Sequence, residues 1–398
     1  MTNNVQLPTG QVSSEQNKST SALPSHSLAT LLAAAISHGA SDLHVKAGTA
    51  PHIRIDGKLR KIRVQPMDET QMRYLIEKAV GKEVMADFDK QREIDFALHI
   101  PEVGRFRVNF YYEKQAPALA ARVVSEIPLN AEALGLPEVI EKLATKDNGI
   151  IIVAGATGSG KSTTLAAIVD YINSNYSKNI ITIEDPIEIL HRDKRSIVSQ
   201  RQVGEDTKEF SKAIRAALRQ DPDVILVGEI RDAETARIAL TAAETGHLVL
   251  STLHTINATD SINRLVQFFP EREHQYIRVS LSSSLRAIIC QRLIAADMMS
   301  EIREINGRKT SRIPVVEILV NEGRMPKAIK EIDGTTSIEE IIKDGGAYGM
   351  ITFNQHLEDL VRSQLISPDL ALRTSDSPDN LRVTLESNGL LIKRTSLD

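Results

Sequence analysis

The residues most plainly suited to chemistry are Gly155-Ala156-Thr157-Gly158-Ser159-Gly160-Lys161-Ser162-Thr163, which fit the spacing G-x-x-x-x-G-K-[ST]. Together these types do one thing well, which is to hold a polyphosphate. Glycines let backbone N–H groups approach an anion, a lysine reaches the outer phosphates, and the next hydroxyl can ligate Mg²⁺. Residues 155–163 are therefore the expected ATP-binding set, with Lys161 also counted as catalytic and Ser162 assigned to the metal. The motif works only where a helix begins at its end, because unpaired N–H groups and the positive end of the helix dipole collect there. The flanks supply that context. Gly149-Ile150-Ile151-Ile152-Val153-Ala154 is an unbroken apolar run, the pattern of a strand buried on both faces, and Leu165, Ile168, Val169 and Ile172 follow at helical spacing. A chance glycine-rich turn would lack both.

Three more apolar runs end in polar residues. Ile180-Ile181-Thr182-Ile183 leads into Glu184-Asp185-Pro186-Ile187-Glu188, Val224-Ile225-Leu226-Val227 into Gly228-Glu229-Ile230-Arg231-Asp232, and Leu248-Val249-Leu250-Ser251-Thr252 into Leu253-His254. In open α/β sheets ligands bind beyond the carboxyl ends of the strands. Hydrolysis of ATP there needs Mg²⁺ held, a water aimed at the γ-phosphate and positive charge for the transition state. Glu229 takes the Walker B place and is expected to hold Mg²⁺ through its water shell. Glu188 is expected to orient or deprotonate the attacking water, with Glu184 and Asp185 in support, although those two also read as capping or turn residues before Pro186. His254 is placed to sense the γ-phosphate, whereas His247, at the start of its strand, reads as a packed residue.

Alternating strands and helices imply a doubly wound α/β sheet for this part of the chain. Past Asn257 the pattern turns mainly helical, over about 258–267 and 271–290, then a strand at 314–320 and helices to about 386; the charged stretch 303–312 reads as an exposed loop. Upstream, residues 1–25 are rich in Ser, Thr, Asn and Gln and read as a disordered tail. A small α+β domain follows: a helix carrying Leu28, Leu31, Leu32, Ala35 and Ile36, a hairpin turning at Asp56-Gly57, a helix over about 68–90, and strands near 93–100, 105–113 and 117–124. In Arg105-Phe106-Arg107-Val108-Asn109-Phe110 the apolar positions alternate, so Arg105 and Arg107 share one face. A solvated polar face is the plain reading of such a pair. Residues 125–137, with Pro128, Gly135 and Pro137, read as a hinge. The expected domains are thus 26–124, a linker at 125–137, and 138–386, with a short tail at 387–398.

A chain of 398 residues accommodates two cores, and 41% hydrophobic with 25% charged residues is ordinary for a globular protein. The net charge of −4 offers no broad basic surface to nucleic acid or anionic lipid. A single cysteine, Cys290, cannot form an internal disulfide or a cysteine zinc cluster, and its apolar surroundings mark it as core. With no signal segment and no apolar run of membrane-spanning length, the chain is expected to be cytoplasmic, without direct membrane insertion.

At these residues the sequence resembles the type II/IV secretion ATPase superfamily and, within it, the type IV pilus retraction ATPases. Ile181-Thr182-Ile183-Glu184-Asp185-Pro186-Ile187-Glu188 is similar to the family's Asp box, Leu218-Arg219-Gln220-Asp221-Pro222-Asp223 through Asp232 to its atypical Walker B segment, and Thr245-Gly246-His247 through His254-Thr255 to its His box. The likeness spans about 28–381. It implies a PAS-like N-terminal domain joined to a RecA-like P-loop ATPase domain with a helical C-terminal portion. It also implies a homohexamer in which ATP on one protomer is touched by Arg105 and Arg107 of a neighbour, and a stroke delivered to an inner-membrane pilus platform protein, so that pilins leave the fibre base in twitching motility. The chain would then sit peripherally at the inner face of the cytoplasmic membrane, with a paralogous pilus ATPase as a further partner. Two stretches depart from the family pattern: Pro326-Lys327-Ala328-Ile329-Lys330-Glu331-Ile332 matches only in part an Ala-Ile-Arg-rich helix needed for retraction, and Lys114-Gln115-Ala116-Pro117 replaces a more basic, glycine-containing turn. The rival functions are a pilus assembly or type II secretion ATPase, which usually carries a longer N-terminal domain and often a four-cysteine zinc module, and a weakly hydrolysing accessory subunit of the retraction ring.

Overall fold

The computed structural model describes residues 27–55, 58–124, 130–295, 303–305, 308–310, 312–331 and 337–391. The tail at 1–25, the Asp56-Gly57 turn and the first five residues of the 125–137 stretch lie outside them. The chain forms two units, Met1–Glu126 and Ile127–Asp398.

The first unit runs α1 (Leu28–Ser37), β1 (Asp42–Lys46), β2 (Thr49–Ile55), β3 (Lys58–Lys61), α2 (Glu69–Gln91), β4 (Glu93–Ile100), β5 (Gly104–Glu113) and β6 (Ala116–Val124). Both helices start where a side chain satisfies a free backbone donor: Ser27 accepts the Thr30 N–H at 3.1 Å, and Asp68 and Gln71 form a reciprocal capping box. The six strands form one antiparallel sheet in the order β3-β2-β1-β6-β5-β4. Phe106, Val108 and Phe110 of β5 enter a core with Leu31, Leu32, Met72 and Phe88, so Arg105, Arg107 and Asn109 take the other face. Strand register lines Arg54, Asp42, Arg122 and Arg107 into one row across four strands. Burial raises the Asp42 carboxyl, but bonds from Ser41 and from Arg122 Nε (2.9 Å) outweigh it and hold the group below its ordinary range.

The second unit runs α3 (Ala131–Leu134), α4 (Val139–Ala144), β7 (Gly149–Ala154), α5 (Lys161–Asn175), β8 (Asn179–Glu184), β9 (Ile197–Gln202), α6 (Phe210–Ala217), β10 (Val224–Val227), α7 (Ala233–Glu244), β11 (Leu248–Leu253), α8 (Ala258–Gln267), α9 (His274–Ser284) and β12 (Leu285–Ala295). It continues through β13 (Arg303–Ile305), β14 (Arg308–Thr310), β15 (Arg312–Val320), α10 (Met325–Lys330), α11 (Ile338–Asp344), α12 (Phe353–Arg362), α13 (Pro368–Thr374) and α14 (Pro378–Ser387). Its sheet has the order β15-β12-β7-β11-β10-β8-β9, parallel throughout except for β15. Every residue of β7, β10 and β11 is buried, as strands covered on both faces must be. Cys290 is fully buried. Ala131 and Leu136, from the latter part of the stretch read as a hinge, belong to this core.

Two sequence expectations are corrected here. The helix expected over 271–290 ends at Ser284, and β12 begins at the next residue. Ala287 to Cys290 is apolar on both faces, and a run with no clear period can be helix or buried strand; the open edge of β7 decides it, with Ile288 opposite Ile152 and Cys290 opposite Ala154. The loop expected at 303–312 contains β13 and β14, paired antiparallel, with the start of β15. A charged stretch can pair as two short strands as well as it can form a loop. Among the described residues no helix is long and apolar enough to cross a membrane.

Candidate nucleotide site

Because β7, β8, β10 and β11 are parallel neighbours, their carboxyl ends lie along one edge of the sheet. The loop between β7 and α5 occupies that edge. It turns through Gly155 (φ 149°), Gly158 (φ 79°) and Gly160 (φ 91°), and a β-carbon at 155 would fall 2.4 Å from the Gln291 carbonyl oxygen, one at 160 2.6 Å from Gln291 Nε2. Only glycine fits either place. The loop thus presents backbone in front of the α5 N-terminus, where an anion is favoured.

Lys161 opens α5 and is 9% exposed. Its Nζ donates to the carbonyls of Gly155 (2.8 Å) and Ala156 (3.0 Å). Burial lowers its pKa, and the charges of Glu188 and Glu229 pull it back up, which places both carboxylates within electrostatic reach of the ammonium. Glu229, just past β10, is engaged: Arg231 bridges to it and His254 Nε2 lies 3.5 Å from its other oxygen. The segment carrying Glu229 is tied to the strand carrying His254. Ser251 Oγ donates to the Val227 carbonyl and Thr252 Oγ1 to that of Gly228, both at 2.7 Å, and the Ile230 N–H donates to Thr252 at 3.2 Å. Glu188 differs: it is exposed, and no side chain pairs with its carboxylate among the described residues.

No helix follows Pro186, so Glu184 and Asp185 are not caps. Asp185 is exposed at a cis peptide bond to Pro186, while the Glu184 carboxylate accepts from Thr182 Oγ1 (2.6 Å) and Gln200 Nε2 (3.1 Å), with burial raising its pKa. His247 donates from Nδ1 to the Ala242 carbonyl at 3.0 Å, a packed and satisfied histidine. Arg105 and Arg107 lie in the first unit, on one face of β5.

The donor set fits a nucleotide phosphate. Ser159 Oγ is buried with no partner, and Ser162 is exposed at the first turn of α5. Among the described residues no group of three or more His, Cys, Asp or Glu could hold a metal ion. A divalent ion here therefore needs phosphate oxygens and water beside Ser162, as Mg²⁺ commonly has them.

The sequence reading missed Gln291. It lies 3% exposed on β12, level with the loop; Nε2 donates to the Ser159 carbonyl at 2.9 Å, and Oε1 accepts from Thr164 Oγ1 at 2.6 Å. Its signal is a polar residue closing an apolar run, as at the other strand ends, and it shows only once the run is seen to be a strand. Arg231 stands two residues past Glu229, and its pairing to that carboxylate shows only in the fold.

The chain as a whole is similar to known proteins. The family model "Type II/IV secretion system protein" matches residues 17–364. The type IV pilus retraction ATPase PilT of Pseudomonas aeruginosa is 42% identical over 350 residues, 88% of this chain and 98% of that protein. A twitching motility protein of Neisseria gonorrhoeae is 40% identical over 331 residues, 83% of this chain and 86% of that one. Among solved structures, that of the pilus retraction motor PilT with bound ADP superposes with a TM-score of 0.79 at 39% identity, covering 90% of this chain and 99% of that one.

Proposed function

This chain belongs to the type II/IV secretion system protein family, and from that membership we propose that it is the motor ATPase that retracts type IV pili, cleaving ATP to ADP and phosphate to do so. The observation that carries the reading is a glycine loop at the carboxyl edge of a parallel sheet whose lysine, Lys161, lies within the electrostatic reach of Glu188 and Glu229.

Residues 155–163 hold the phosphates, and a bound phosphate gives Lys161 an anionic acceptor in place of two neutral carbonyls. Ser162 would hold Mg²⁺, which when bound would supply positive charge to the phosphates. Glu188 is the carboxylate free to take a proton from the attacking water, because Glu229 is already held between Arg231 and His254. Glu229 in this role orders the water shell around the phosphates and fixes His254 where it meets the γ-phosphate. Arg105 and Arg107 of a neighbouring protomer complete the site, so turnover depends on assembly into a hexamer. The domain at 26–124 moves against that at 138–386 through the linker 125–137. The stroke is passed to a platform protein in the inner membrane, at whose cytoplasmic face the ring sits, together with a paralogous pilus ATPase.

Pilus length in cells tests this. Deleting the chain is expected to leave pili that extend but do not shorten, with shortening restored by the parent protein and not by Lys161→Ala. Pili that shorten normally without the chain would overturn the reading, and pili that never form would turn it into an assembly motor.

A further inference from the structure

We propose that Gln291 of β12 is a positioning residue for the phosphate loop, a strap that holds the loop open to phosphate. The inference rests on the reading of 155–163 as a nucleotide site and assigns a role to a residue outside that motif.

A peptide unit is planar and trans, so its C=O and N–H point in opposite directions. Gln291 Nε2 draws the Ser159 carbonyl toward β12 at 2.9 Å, and the N–H of Gly160 must then point away from β12. The other end of the same amide accepts from Thr164 Oγ1 at 2.6 Å, one turn into α5. One side chain thus fixes both the last peptide of the loop and the first turn of the helix whose N-terminus faces the ligand. The amide is 3% exposed, so water cannot replace it on either partner. Gly160 is required partly because of this strap, since a β-carbon there would meet Gln291 Nε2 at 2.6 Å.

The next residue supplies a control. Side chains alternate across a strand, and Arg292 leaves β12 on the opposite face, where it pairs with Asp376 through Nη1 and Nη2 (2.8 and 2.6 Å) and covers the ring of Phe353. It anchors the C-terminal helices without touching the loop.

The test measures the ADP dissociation constant and the melting temperature of the full-length parent, Gln291→Leu, Thr164→Val and Arg292→Ala. Gln291→Leu is expected to weaken ADP about tenfold, Thr164→Val severalfold, and their combination little more than Gln291→Leu alone, because both cut one strap. Arg292→Ala is expected to lower the melting temperature while leaving the ADP constant at its parent value, a split that a purely structural role for Gln291 would not produce. Parent-like ADP affinity in Gln291→Leu, or an equal shift in Arg292→Ala, would overturn the inference. Should Gln291→Leu fail to fold, Thr164→Val decides alone: a severalfold weakening supports the strap and an unchanged constant overturns it. A parent protein that binds no ADP would instead refute the nucleotide site itself.

Discussion

At the scale of the residue, the site is a balance of charge against burial. Lys161 is held by two carbonyls and lies in the field of two carboxylates, yet burial is the larger influence and lowers its pKa from 10.5. A lowered lysine loses its charge earlier as pH rises, so affinity for an anionic nucleotide should fall as pH climbs through that depressed value, below 10.5. Titrating ADP binding into the alkaline range checks this, with Lys161→Met expected to bind weakly and to lack the dependence. A parent protein whose affinity stays flat up to 10.5 would contradict the assignment of Lys161 to the phosphates. The motif residues were legible in the sequence because their types and spacing are dictated by the loop. The approach of His254 to Glu229 was not, since it depends on how far β10 and β11 project side by side, which only their register fixes.

At the scale of the element, the strands that carry the site were readable as apolar runs ending in polar residues, and the first unit's β5 as an alternating one. What failed was β12, where burial on both faces erases the period that separates strand from helix. The edge strand β9, part polar and half-buried, left no run to detect. The turn between β5 and β6 carries a local cost. Lys114 (φ 51°) and Gln115 (φ 70°) both stand in the left-handed region, which hairpins of this kind usually reserve for Asn, Asp or Gly. Gln115→Gly is expected to stabilise the chain by about 1 kcal/mol, read as a higher melting temperature. A lower one would mean that the Gln115 side chain contributes more than its backbone costs.

At the scale of the whole molecule, two units with separate cores carry complementary chemistry. The second holds the phosphate loop and its acids; the first offers a sheet face on which register aligns Arg54, Arg122 and Arg107 around Asp42. On the same face stand Arg105 and Arg107, and in the proposed ring these two would reach ATP on a neighbouring protomer and make hydrolysis depend on the assembly. An arginine supplied by a neighbour is worth roughly 10³ to 10⁵ in rate, enough to tie turnover to the closing of adjoining protomers. A general base contributes about 10² to 10⁴.

The most direct measurement mixes two crippled proteins, Arg105→Ala and Glu188→Gln, and follows steady-state ATP hydrolysis. Each alone is expected to lose at least about a hundredfold in rate while still binding ADP. Mixed rings should regain a substantial part of it, because a protomer keeping Glu188 then stands beside one keeping Arg105. Activity in the mixture no higher than in the separate proteins would contradict a site shared between protomers, and Glu188→Gln turning over ATP at the parent rate would contradict the chemistry proposed for it.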